Sequence, residues 1–115
     1  MPPITPCTPT RTLQVVIYLA KVDSAFPERD LSTCESYAHA FNWGISLIVV
    51  DDQVDVRGPG HRPMLQAAFR QITDRQAGAI LVPSKATISP IEGEFNEFAE
   101  RVEKASGFIQ VATRR

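Results

Sequence analysis

Four short apolar runs, separated by three stretches of helical period, constrain this 115-residue chain more than any other feature of it. Residues 14–20 read Q-V-V-I-Y-L-A, a largely β-branched run without polar alternation, as a strand covered on both faces requires. Residues 45–50 read as a second buried strand, Ala79, Ile80, Leu81 and Val82 as a third, and residues 108–112 as a fourth. Between them the period changes to that of a helix. Pro27 opens a segment with Leu31, Cys34, Ala38 and Phe41 on one face and Glu28 near the positive end of the dipole. Pro63 suits a first helical position, and Met64, Leu65, Ala68, Phe69 and Ile72 share a stripe. The third helix starts at the capping-box pattern Ser89-Pro90-Ile91-Glu92, in which Ser89 caps and Glu92 reaches back. It aligns Ile91, Phe95, Phe98, Val102 and Ala105, with Gly107 as its C-terminal stop. A βαβαβαβ order predicts a parallel sheet with right-handed crossovers and helices on both faces.

Composition narrows the class. A chain this long folds as one domain, and 43% hydrophobic residues exclude intrinsic disorder. Twelve Lys+Arg against 13 Asp+Glu give a net charge of −1, which argues against a large basic surface for nucleic acid. No apolar run reaches the ~18 residues of a membrane span, and no signal-peptide pattern opens the chain, so a cytoplasmic protein is expected. Residues 1–12, with prolines at 2, 3, 6 and 9, read as a flexible tail, and residues 13–115 as the domain. Cys7 and Cys34 read as a loose thiol and a small core hydrophobe. His39 and His61 lack partners at ligand spacing, so neither a metal nor a cofactor is expected. Gly58-Pro59-Gly60 lacks the lysine and spacing of a phosphate loop and reads as a turn. Sites in such sheets lie beyond the carboxyl ends of the strands, which directs attention to the loops 21–27, 51–62 and 83–90.

Residues 28–43, E-R-D-L-S-T-C-E-S-Y-A-H-A-F-N-W, are similar to the first-helix signature of serine recombinases, the resolvase/invertase family, which reads E-R-Q-x-x-x-C-x-x-Y-A-x-x-x-G-W. Residues 16–24 resemble that family's first strand and nucleophile loop. Asp51-Asp52 resembles its acidic loop, and Arg62-Pro63-Met64-Leu65 its R-P-x-L helix start. The resemblance spans nearly the whole domain and implies a resolvase-like catalytic domain. It also implies a serine nucleophile and a cluster of arginines around the scissile phosphate, each such contact worth ~3 kcal/mol or more in the transition state.

Those positions have changed. The family's Y-x-R-V-S loop falls on Leu19-Ala20-Lys21-Val22-Asp23, which puts Asp23 at the nucleophile's place and Lys21 at an arginine's, with Ser24 one residue on. Its L-D-R-L-S-R falls on Lys85-Ala86-Thr87-Ile88-Ser89-Pro90, so Ala86 replaces the acid, and Thr87 and Pro90 replace both arginines. Arg62 alone of the catalytic set matches, and a carboxylate at position 23 repels phosphate. The family's long dimerisation helix and DNA-binding region have no counterpart before Arg115, so site-specific DNA recognition is not expected of this sequence. Asp51-Asp52 also resembles the acid pair of a response-regulator receiver, but no acceptor Asp follows the third strand, and a solvated acidic loop is the preferred reading.

The expected fold is a three-layer α/β/α resolvase-like domain with three helices and four mainly parallel strands in the order 2-1-3-4. The expected function is that of a catalytically inactive, stand-alone recombinase-like domain, regulatory or accessory in DNA recombination. It would work through a protein partner or as a homo-oligomer, with DNA association weak or indirect. The alternative is a divergent DNA-cleaving recombinase or nuclease using Ser24 with Lys21 and Arg62. A decayed remnant of a mobile element is a third reading. Lys21, Arg57, His61, Arg62 and Lys85 form a candidate anion-binding set, the alternative being scattered surface charge. Phe26 is the candidate for a partner contact, against a hydrophobic staple, and Trp43 reads as core.

Overall fold

A computed structural model describes residues 13–21, 27–51, 63–89 and 91–112. Seven elements alternate along them: β1 (Gln14–Ala20), α1 (Glu28–Ala40), β2 (Gly44–Asp51), α2 (Pro63–Thr73), β3 (Ala79–Val82), α3 (Glu92–Lys104) and β4 (Phe108–Val111). The strands form one four-stranded sheet in the order β2-β1-β3-β4, with every neighbouring pair parallel. The predicted order and strand direction are therefore those observed.

The crossover rule explains the layers. The chain moves one way from β1 to β2 and the other way from β2 to β3 and on to β4. Right-handed connections then send α1 to one face and α2 with α3 to the opposite face. On the first face Cys34 and Ala38 of α1 pack on Val15, Ile17, Leu19, Ala79 and Leu81. Small residues on both sides let helix and sheet approach closely. On the second face Leu65, Ala68 and Ile72 of α2 and Phe95, Phe98 and Val102 of α3 cover Val16, Tyr18, Val49, Ile80 and Val82. Residues 15–19 of β1 and all of β3 are fully buried, as their apolar sequences require.

β2 departs from expectation. It is the outer strand of the sheet, and Ile45, Leu47 and Ile48 are 38–39% exposed where a buried strand was predicted. One 13-residue helix covers its face of a four-stranded sheet, and that cover is centred on β1 and β3. Phe41, assigned to the core stripe of α1, is 55% exposed and stacks at 5.1 Å on Trp43, which is itself only half-buried. Tyr37, 4.9 Å from Phe41, and Phe108, 6.4 Å from Trp43, complete this aromatic group. Met64 and Ile91, at the first turn of α2 and just before α3, are also exposed rather than core.

Each helix ends in the same device. Asn42, Arg75 and Ser106 adopt left-handed φ values of 58°, 62° and 73°. Trp43 N–H donates to Ala38 O, Gln76 N–H to Gln71 O and Gly107 N–H to Val102 O, the long bond of a Schellman cap. Gly107 is thus not the left-handed residue predicted; Ser106 is. The glycine is required instead for close approach, because a Cβ there would lie 2.7 Å from Ile72 Cγ2 and 3.2 Å from Gly78 O.

The third helix start is also rearranged. Ser89 Oγ accepts the Ile91 N–H at 3.1 Å and donates to Glu94 Oε1 at 2.7 Å, but the N-cap of α3 is Ile91 without a side-chain bond, so the expected box of Ser89 and Glu92 does not form and the helix begins two residues later than drawn. Two substitutions at the end of α3 separate strain from crowding. Ser106→Gly should raise stability by about 0.5–1 kcal/mol, because glycine adopts that φ without penalty. Gly107→Ala should lower it by about 1–3 kcal/mol through overpacking. Urea titration of both variants checks the opposite signs.

Candidate functional site

The sheet order reverses between β1 and β3, so the crevice beyond their carboxyl ends is the place where an open parallel sheet presents a site. All four strand ends are fixed there by two backbone bonds. Lys21 N–H donates to Asp51 O at 2.9 Å, tying β1 to β2, and Ala112 N–H donates to Val82 O at 2.7 Å, tying β4 to β3.

Asp51 is held a second way. The Tyr18 hydroxyl donates to its Oδ2 at 2.6 Å, and the two residues are 0% and 2% exposed. A carboxyl group buried this deeply needs such donors, since an unmet polar atom in the interior costs about 1–3 kcal/mol. The solvated acidic loop expected from the sequence is therefore corrected at Asp51, whose side chain is interior; Asp52 lies outside the described residues.

A cleft of about 400 Å³ opens between the first turns of α1 and the ends of β3 and β4. Arg29, Asp30 and Thr33 line it from the helix, and Pro83, Ser84 and Lys85 from the loop after β3. Its charges are mixed. Glu28 and Asp30 occupy the first turn of α1, where they offset the positive helix end that would otherwise favour an anion. Lys85 is exposed and its Nζ stands 5.4 Å from the centre of the Phe95 ring. Arg29 was not among the predicted anion-binding residues, although it stands in the quoted helix motif; its place at the second helical position was the signal that it faces the strand ends.

The other predicted positions divide into two groups. Asp23, Ser24, Phe26, Arg57, His61, Arg62 and Pro90 lie outside the described residues. Lys21 is exposed at the end of β1, and Lys85 and Ala86 are exposed in a short 3-10 turn, Lys85–Thr87. Thr87 is 8% exposed, with its Oγ1 3.3 Å from Ser84 Oγ. The turn after β3 therefore folds Thr87 inward, leaves Ser84 exposed on the cleft, and leads through Ser89 into α3. Among the described residues no three His, Cys, Asp or Glu side chains gather as metal ligands, and no helix is long and apolar enough to cross a membrane.

Cys34 lies on the buried face of α1 at 0% exposure. Burial, with Asp30 and Glu35 nearby, pushes its thiol up to about 12 from 9.0. The thiolate needed for nucleophilic or redox chemistry is suppressed there.

No protein-family model matches the chain, and no curated protein matches it. Solved structures do. The C-terminal catalytic domain of ISC1926 TnpA, an IS607-like serine recombinase, superposes with a TM-score of 0.73 at 19% identity, over 87% of this chain and 70% of that one. The N-terminal catalytic domain of TP901-1 integrase gives 0.73 at 18% identity, over 86% and 76%. The first ORF in transposon ISC1904 from Sulfolobus solfataricus P2 gives 0.62 at 9% identity, over 90% and 69%. The chain thus has the α/β fold of a serine recombinase catalytic domain, as the residue-level resemblance implied.

Two measurements test the described site. Tyr18→Phe should cost about 1–2 kcal/mol of unfolding free energy, read by denaturant titration, through loss of the bond to Asp51. In a Cys7→Ser background the Cys34 thiol should resist an aromatic disulfide reagent until the protein is unfolded. Its linkage has a definite sign: above pH 9 the unfolded thiol loses its proton while the folded one keeps it up to about 12. Stability should fall across that window, and Cys34→Ala should remove that part of the slope.

Proposed function

We propose that this domain carries the serine recombinase fold without strand cleavage and works in DNA recombination as a regulatory or accessory protein, through contacts with other proteins. The observation that supports this is the turn after β3. The resemblance requires an acid and two arginines there, aimed at a phosphate. The chain instead has exposed Ala86, buried Thr87 and a Ser89 whose hydroxyl is engaged with Ile91 N–H and Glu94 at the entry to α3. Lys85, the cation of that turn, lies against the Phe95 ring. The two Ser89 bonds order the entry to α3, whereas the arginines that the resemblance places in this turn would hold a phosphate and stabilise its transition-state charge. The local chemistry serves the fold.

Asp23 adds to this reading, since a carboxylate at the nucleophile's place lacks the serine hydroxyl and repels an approaching phosphodiester. The ISC1926 relative is a serine recombinase by its own description, and what passes to this chain by likeness of fold is the scaffold. Supercoiled plasmid incubated with the protein should remain uncut, and no 5′-phosphoserine adduct should form. Nicking that disappears in Ser24→Ala, or an adduct on Ser24, would establish the enzyme reading with Lys21 and Arg62 in its place.

A further inference from the structure

β2 has the sequence of an inner strand and the position of an outer one. Residues 41–50 contain no charged side chain, and among the described residues β2 pairs within the sheet with β1 alone. Side chains alternate along a strand. Val49 packs with the α2 and α3 face and Val50 with the α1 face, so Leu47 lies toward the former and Ile48 toward the latter. Ile45, in register with Val15, also lies on the α1 side. Partly exposed apolar surface therefore flanks the outer edge above and below. Sheets ordinarily protect such an edge with lysine, proline or inward charge. Here the departure from regularity is Ser46, at the register shift, whose hydroxyl turns back to Val15 O at 3.4 Å.

We propose that the outer edge of β2 pairs with the same edge of a second copy of this chain, antiparallel about a twofold axis, giving a continuous eight-stranded sheet. The inference deepens the proposed function by naming its protein partner, and it rests on that reading for the premise that the domain works through protein contacts.

The edge itself selects the occupant. A partner strand must be apolar on both faces along residues 47–50, and the same residues of a second copy meet that description; in an antiparallel register centred on β2, Asp51 of one copy falls opposite Gly44 of the other, so no like charges come together. The chain's own first twelve residues do not meet it. Their prolines at 3, 6 and 9 recur every three residues, whereas strand donors recur every two. Any eight-residue stretch of that segment would place a proline where the ladder needs an N–H. A twofold contact consumes the edge on both copies, and the opposite edge, β4, is only four residues long, so assembly stops at two. Eight residues of paired edge bury on the order of 500 Å² per copy, below the ~800 Å² of a standard interface. The dimer is correspondingly weak, with Kd on the order of 10–100 μM.

Sedimentation velocity of the full chain from about 1 μM to 1 mM tests this. The mass should rise from 12.7 kDa toward twice that value. Leu47→Lys and Ile48→Lys, one on each face, should each weaken association at least ~10-fold, whereas Phe41→Ser, which removes an exposed aromatic away from the edge, should leave it unchanged. Hydrogen exchange of the unmodified protein covers the case of a lysine variant that fails to fold: amides of β2 should gain protection with concentration while those of β3 do not. A 12.7 kDa mass at every concentration, association that persists in folded lysine variants, or protection that rises elsewhere would overturn the pairing. A monomer would leave the non-cleaving reading intact, because plasmid nicking decides that separately.

Discussion

β1 is paired along both edges and buried on both faces, and the positions of the other elements follow from that confinement. With residues 15–19 at 0% exposure, every side chain of the central strand must be apolar or internally bonded. Tyr18 is the exception that shows the rule, because its hydroxyl reaches Asp51 on the neighbouring strand. The reversal of direction at β1 then divides the helices unequally. Two cover the face of Val16 and Tyr18, and one covers the face of Val15, Ile17 and Leu19. A sheet of four strands spaced ~4.8 Å is wider than a helix of ~10 Å diameter. The shortage of cover falls on β2, at the margin, where apolar side chains remain in contact with water.

The same confinement fixes where chemistry could occur. Strand ends tied by Lys21 N–H to Asp51 O and Ala112 N–H to Val82 O form a rigid rim at the switch point. Among the described residues, what stands on that rim is a mixture of Arg29, Asp30 and Lys85 with small hydroxyl residues, rather than a concentration of one sign. Field strength in a cleft depends on such concentration. The acids in the first turn of α1 further oppose an anion there. Scaffold and rim thus carry different information: the scaffold is that of a recombinase catalytic domain, and the described part of the rim is built for folding.

Much of this was legible in the sequence because uninterrupted β-branched runs leave few alternatives. β1 and β3 coincide with the apolar runs read for them, and the parallel order follows from the alternation of elements. β2 was misread for a physical reason: an apolar run specifies that side chains prefer to be covered, not that the fold supplies a cover. Phe41 was misplaced in the same way, since helical period put it on the stripe of Cys34 and Ala38, but the stripe outlasts the sheet beneath it. The capping box read at Ser89 does not form, because the helix starts at Glu92 with Ile91 as its N-cap; the Ser89 hydroxyl instead bonds Ile91 N–H and Glu94 just before the helix, which spacing alone could not reveal. At the site, Lys21 follows β1 and Lys85 follows β3, and Lys85 lines the described cleft while Lys21 does not. The Tyr18–Asp51 bond joins residues 33 apart and leaves no local pattern to read.

An antiparallel β2 pairing has a consequence for the rim. All four strands of one copy run the same way, so a twofold axis perpendicular to the joined sheet would point the carboxyl ends of the two copies in opposite directions. The two clefts would then lie at opposite ends of an eight-stranded sheet, each open and neither facing the other. Double-strand cleavage requires two nucleophiles brought to adjacent phosphates on one duplex face, and this arrangement separates them by the full length of the strands. An edge-paired dimer is therefore a poor geometry for cutting and a good one for bridging, since each end remains free to meet its own neighbour.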